Sequence, residues 1–95
     1  MLTKNTIKRI SSLQTKKFRK EHGVFTAEGI KLIDELFNSN FEIRELYYTS
    51  EWKGSSIDKP QYHEEITADE MKKISALTTP SQVFAVVSIP EYSIN

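Results

Sequence analysis

The side chains best suited to chemistry in this chain are cations gathered near its start. Lys8 and Arg9 form one pair, and Lys16, Lys17, Arg19 and Lys20 form a denser group seven residues on. Ammonium and guanidinium groups clustered in this way can replace the counterions condensed on a polyanion such as RNA. Neighbouring aromatic rings have two uses: Phe18, Phe25 or an exposed tyrosine can stack on an unpaired base or enter the core, and core burial is the expectation for Phe25. Taken alone, the basic group fits a solvated face as well as an anion-binding surface.

Net charge sharpens the point. The 13 Lys and Arg balance the 13 Asp and Glu, so only an uneven distribution can favour an anionic partner. Residues 1–23 hold seven cations against Glu21, a net +6, and the remainder carries −6. The first quarter is therefore cationic on an otherwise acidic domain.

Other reactive groups are scattered. His22 and His63 lie far apart and have no ligand-like spacing, which favours surface or packing roles and implies no metal site. The serines and threonines lack a nucleophile motif, and no glycine-rich phosphate loop or dinucleotide fingerprint occurs. Glu64, Glu65, Asp69 and Glu70 suit the acidic start of a helix better than paired acid–base work. With no cysteine, disulfides, thiolate metal sites and thiol nucleophiles are excluded. No catalytic, cofactor-binding or metal-binding residue is assigned.

The elements that must position the cations follow from periodicity. Ile7, Ile10 and Leu13 recur at helical spacing, with a break expected near Ser11 and Ser12. Val24 to Glu28 reads as a strand between Gly23 and Gly29, and Ile30, Leu32, Ile33, Leu36 and Phe37 give the next helix a broad apolar stripe ending at Asn38 to Asn40. Gly29 suits an unusual dihedral or close approach, while Glu28 can favour the helix start. Ile43 to Thr49 alternates as a strand, with Ile43, Glu45, Tyr47 and Thr49 on one face. Glu51 to Pro60 is a loop in which Trp52 covers an apolar patch or meets a partner, and Tyr62 to Ile66 is a short strand.

Thr67 to Glu70 matches a capping box, stapled by Ile66 and Met71, which begins a helix expected to end around Leu77. Val83 to Val87 is uniformly apolar, as in a strand covered on both faces, and Pro90 closes it. This alternation favours one small α/β domain with helices packed on a central sheet. Ninety-five residues suffice for a modest core. No segment has the length of a signal peptide's apolar region or a membrane span, so a soluble, cytoplasmic protein without a membrane partner is expected.

In order along the chain, Leu13, Lys16-Lys17, Arg19, Gly23, Phe25, Glu28-Gly29 and Lys31-Leu32, then Ile74, Leu77, Thr79-Pro80 and Phe84 to Val87, form a pattern of their own. It resembles the N-terminal substrate-binding domain of SpoU/TrmH-family RNA 2'-O-ribose methyltransferases over most of the chain. One departure is Pro80-Ser81-Gln82-Val83, where many members have a Pro-Gln-Gly type turn.

The resemblance implies a three-layer α/β/α sandwich with a central mixed sheet, similar to ribosomal-protein RNA-binding domains. It implies an RNA substrate-binding domain over residues 1–89, with 90–95 starting a linker to a catalytic domain not contained in these residues. That second domain, knotted and usually dimeric in the family, would bind S-adenosylmethionine and methylate a ribose 2'-hydroxyl. Lys8, Arg9, Lys16, Lys17, Arg19, Lys20 and Lys31 are the RNA-binding candidates, and the expected partner is structured rRNA or tRNA. Two alternatives remain at this point: a stand-alone RNA-binding protein of ribosomal or kink-turn type, and a protein-interaction module using Trp52, the tyrosines and the acidic surface.

Overall fold

Helix α1 (Lys4–Ser12) starts where the Thr6 amide donates to Thr3 Oγ1 at 3.1 Å, satisfying one of the donors that a helix start leaves open. It sends Ile10 and the following Leu13 into the interior, both almost fully buried. In this computed structural model, which describes residues 2–54 and 60–90, the chain then turns and forms a second helix, α2 (Lys16–His22). The basic cluster is thus helical, which periodicity did not show because none of its residues is buried. Gly23 ends α2 in the left-handed conformation, φ 66° and ψ 33°, and its amide closes on the last helical carbonyls.

The rest follows as β1 (Val24–Glu28), α3 (Ile30–Phe37), β2 (Ile43–Tyr48), β3 (Tyr62–Glu65), α4 (Ala68–Ile74) and β4 (Val83–Ser88). The four strands form one mixed sheet in the order β1-β4-β2-β3. β4 is antiparallel to both β1 and β2, and β2 is parallel to β3. The uniformly apolar strand occupies an interior position because its side chains must be covered on both faces. Val83, Ala85 and Val87 enter one cluster, and Phe84 and Val86 enter the other.

Three layers result. On one face Ile10 and Leu13, with Met71 and Ile74 of α4, cover Val24, Tyr47, Phe84 and Val86. On the opposite face Ile33 and Leu36 of α3, together with Trp52, cover Ala27, Ile43, Leu46 and the remaining β4 side chains. Fully burying a side chain of this size contributes about 1.5–3 kcal/mol, so each face is held by a substantial apolar term. Trp52 is buried against Phe37 and Tyr48, which settles its role as a core cover. No helix among the described residues is long and apolar enough to cross a membrane.

Four local expectations change. The alternation in β2 is broken by a register shift between Ile43 and Glu45, so Ile43 pairs with Val87 while Glu45 pairs with Val86. Ile43 therefore joins Leu46 on the α3 side, and Glu45 and Tyr47 face α1. In α3 only Ile33 and Leu36 are buried, leaving Ile30 and Leu32 exposed and the apolar stripe narrower than expected. Helix α4 stops at Ile74 rather than near Leu77, because Ser75 turns extended where its hydroxyl donates to Glu28 Oε2 at 2.6 Å. The Ala76 amide donates to Glu28 Oε1 at 2.8 Å, so Glu28 ties the end of α4 to β1 instead of serving the start of α3.

Gly29 makes that arrangement possible. Its φ of 111° lies where L side chains are strained, although no atom would meet an added Cβ within 4 Å, so any cost of substitution is conformational. The capping box of α4 is formed as its residues suggest: the Glu70 amide donates to Thr67 Oγ1 and the Thr67 amide donates to Glu70 Oε1, at 3.1 and 3.0 Å. The bond from the Thr67 amide, with another from the Leu2 amide, holds the Glu70 carboxyl below the usual carboxylate range. The expected loop over Glu51 to Pro60 includes 55–59, and the expected linker includes 91–95; both stretches lie outside the described residues.

Candidate nucleic-acid interface

The helical form of α2 sorts its side chains. Lys16 and Lys20 stand one turn apart on one face with Lys17 a step round the helix, and all three are exposed. Phe18 and His22 share another face, their rings stacked with centroids 6.5 Å apart. Arg19 is only half exposed, and its Nε is buried without a hydrogen-bond partner.

Of the remaining candidates, Lys8 is exposed on α1. Arg9 is held differently. Its two Nη atoms donate to the two carboxylate oxygens of Glu45 at 2.9 and 2.7 Å, a bidentate pair that commits its fork to the sheet. The Tyr47 hydroxyl donates to the same carboxylate. Lys31 is exposed on α3, in the layer across the sheet from α1. The structure thus groups Lys16, Lys17, Arg19 and Lys20 on one element, engages Arg9, and places Lys31 apart.

The Arg9–Glu45–Tyr47 network is the wall between two clefts. One, about 380 Å³, lies towards Thr3, Thr6 and Tyr62. The second, about 320 Å³, opens beneath the end of α2, with Arg9, His22 and Arg44 around a floor of Leu13, Val24 and Val86. Arg44 was not among the sequence candidates. Simple alternation sends it to the α3 side with Leu46, and only the register shift at this point allows it to line the α1-side cleft. Its Nε donates to Ser88 Oγ at 2.7 Å, which orients the guanidinium, and its charge helps to stabilise the Glu45 carboxylate.

Burial pushes the Glu45 carboxyl upward, but hydrogen bonds from Arg9 and Tyr47 more than reverse this and leave it below the usual carboxylate range. Burial and the hydrogen bond to Glu45 raise the Tyr47 hydroxyl. For Glu45 the sign follows directly: a carboxyl depressed in the folded state stabilises the fold above its unfolded pKa near 4, and that contribution fades as the pH falls through the lower folded value. Arg9 remains almost half exposed, which limits the pair to on the order of 1 kcal/mol. Urea midpoints for the wild type and Glu45→Gln are expected to differ at pH 7 and to draw together as the pH falls below about 4. A difference unchanged across that range would show that the ion pair adds nothing.

A four-stranded mixed sheet between helical layers, with a basic helix at the β1 edge, defines the class as a small α/β/α sandwich domain. Three solved structures share it. A protein of Porphyromonas gingivalis assigned to the TrmH family of RNA methyltransferases superposes with a TM-score of 0.79 at 30% identity, over 96% of this chain and 37% of its own. An rRNA methyltransferase of Sinorhizobium meliloti with bound AdoMet gives 0.75 at 22% identity, over 95% of this chain and 35% of its own. An RNA 2'-O ribose methyltransferase gives 0.74 at 21% identity, over 98% and 38%. At their lower identity the last two speak for the fold alone.

The profile of the MRM3-like substrate binding domain matches residues 4–85, and the chain belongs to that family. It spans little more than a third of the length of these structural neighbours. Comparison with curated proteins found no match.

Proposed function

We propose that this chain is the module that holds RNA for an S-adenosylmethionine-dependent 2'-O-ribose methyltransferase acting on rRNA or tRNA. The observation that carries this is the position of the basic helix relative to the chain's exit. The Ile89 amide donates to the Gly23 carbonyl at 2.8 Å, so the chain leaves β4 towards Pro90 directly beside the end of α2. RNA lying on Lys16, Lys17, Arg19 and Lys20 would then lie beside the segment that leaves β4. Lys8 extends the same cationic segment, while Lys31 lies in the layer on the opposite face of the sheet.

The chain's residues perform the electrostatic part of the task. Exposed lysines bind phosphate without reading bases, so they set affinity and position while sequence choice comes from other contacts. The cofactor, when bound, supplies the methyl group. Its sulfonium and ammonium do not suit the cleft bordered by Arg9, Arg44 and His22, whose carboxylate, Glu45, is already occupied, and no residue of this chain is assigned to it.

Four phosphate contacts give a log-affinity against log-salt slope of about −3. Anisotropy of a labelled single-stranded RNA with the 95-residue chain is expected to show that slope between about 50 and 200 mM salt. Absence of binding at the low end, or affinity indifferent to salt, would overturn the assignment.

A further inference from the structure

Helices α1 and α4 lie side by side over one face of the sheet. Near their starts the Leu2 amide donates to Glu70 at 2.6 Å, and near their ends the Ser11 hydroxyl donates to the Lys73 carbonyl at 3.2 Å, so the two helices run parallel. Glu70 and Lys73 are three residues apart on α4, which puts Lys73 on the flank that faces α1. Lys8 precedes Ser11 by the same step on α1 and stands on the flank that faces α4. Both lysines are exposed, and among the described residues neither is held in an ion pair.

The seam between these helices leads to α2. The Gln14 amide donates to the Ser11 carbonyl and the Thr15 amide to the Ser12 carbonyl, at 3.2 and 3.1 Å, which folds the end of α1 into a tight turn before Lys16. Ser11 thus bonds α4 through its hydroxyl and this turn through its carbonyl. Lys73 is thereby tied beside the junction from which α2 starts with Lys16 and Lys17. The carboxylates around the seam leave this charge largely uncompensated. Glu70 is occupied by Thr67 and Leu2, Glu28 by Ser75 and Ala76, and Glu21 lies in the last turn of α2. Asp69, exposed one turn before Lys73, is a single carboxylate against Lys8, Lys73, Lys16 and Lys17.

A lysine in the last turn of a helix already has one use, because it complements the carbonyls there. Lys72 and Lys73 share that use and differ in what they face: Lys72 lines a cleft with Thr49 and Pro80 on the other flank of α4. We infer that Lys73, with Lys8 across the seam, binds phosphate and carries the RNA backbone from α2 onto the α1 and α4 pair. The inference rests on the RNA-holding role proposed above and extends its surface from one helix to three. The hydrogen bond from Ser11 reaches the Lys73 backbone, so replacing the side chain keeps the tie.

Anisotropy with a labelled single-stranded RNA of about twelve nucleotides tests this on the whole chain. Lys73→Gln is expected to weaken binding about fivefold near 0.1 M salt and to flatten the salt slope by about 0.7, the effect of one lost phosphate contact. Lys72→Gln removes the same charge from the neighbouring position and is expected to leave affinity and slope close to the wild type. Lys73→Arg keeps the charge and is expected to bind as the wild type does. Equal losses in the two glutamine variants would reduce the effect to overall charge and overturn the seam. Wild-type binding by Lys73→Gln, with affinity still sensitive to the α2 lysines, would also overturn it while leaving the RNA-holding role standing. If the wild-type chain binds no RNA, both fail.

Discussion

Replacing Lys16, Lys17 and Lys20 together by glutamate is expected to weaken RNA binding about a hundredfold near 0.1 M salt. Each phosphate contact adds about 0.7 to the magnitude of the salt exponent, so three lost contacts remove about two log units at that concentration and flatten the slope by about 2. Repulsion by the new carboxylates adds to the loss. All three lysines are exposed and α2 buries no side chain, so the fold is expected to survive the change. Circular dichroism and the urea midpoint check that condition, and anisotropy with a labelled single-stranded RNA reads the affinity. A folded triple variant that binds as the wild type does, with the same salt slope, would remove α2 from the interface.

A larger effect on stability is expected from the centre of the sheet. Phe84 is 1% exposed on β4, pairs across to Glu28 and Tyr47, and sits among Ile10, Met71 and Ile74. Truncation to alanine removes its apolar surface from the α1 and α4 layer and leaves a cavity that the strands on either side cannot close. A loss of about 3–5 kcal/mol follows. A domain of this size has about 5–14 kcal/mol in total, so Phe84→Ala is expected to lower the urea midpoint severely or leave the chain unfolded at 37 °C. A midpoint within 1 kcal/mol of the wild type would mean that the two helices do not pack on β4 as described. RNA affinity would fall with the folded fraction, in contrast to the lysine variant, which loses affinity while folded.

These two variants also separate what the sequence conveys well from what it conveys poorly. Local signals were readable where one residue's chemistry decides the outcome within a few neighbours. The Thr67–Glu70 box, the staple of Ile66 and Met71, the glycines around β1 and the uniform apolar run of β4 all specify their structures over short distances. Charge imbalance located the cations, and the ordered pattern from Leu13 to Val87 pointed to the family that the profile match establishes. A helix that buries nothing gave no such signal, which is why α2 was visible as a charge cluster and not as an element.

What only the tertiary structure decided involves partners distant in sequence. Arg9 meets a carboxylate 36 residues away, and this changes it from a free cation into the wall of a cleft. Glu28 reaches 47 residues to Ser75 and ends a helix whose periodicity would have carried it on to Leu77. A register shift in β2, set by pairing with β4, turns Ile43 to one face and brings Arg44 to the cleft on the other. The physical reason is common to all three. Residue type fixes what a group can bind, whereas packing of the sheet and helices decides which partner is close enough to satisfy it. The sequence alone therefore determined a cationic segment on an α/β domain of recognisable family; the fold decided which of those cations it engages itself and which it leaves on the surface.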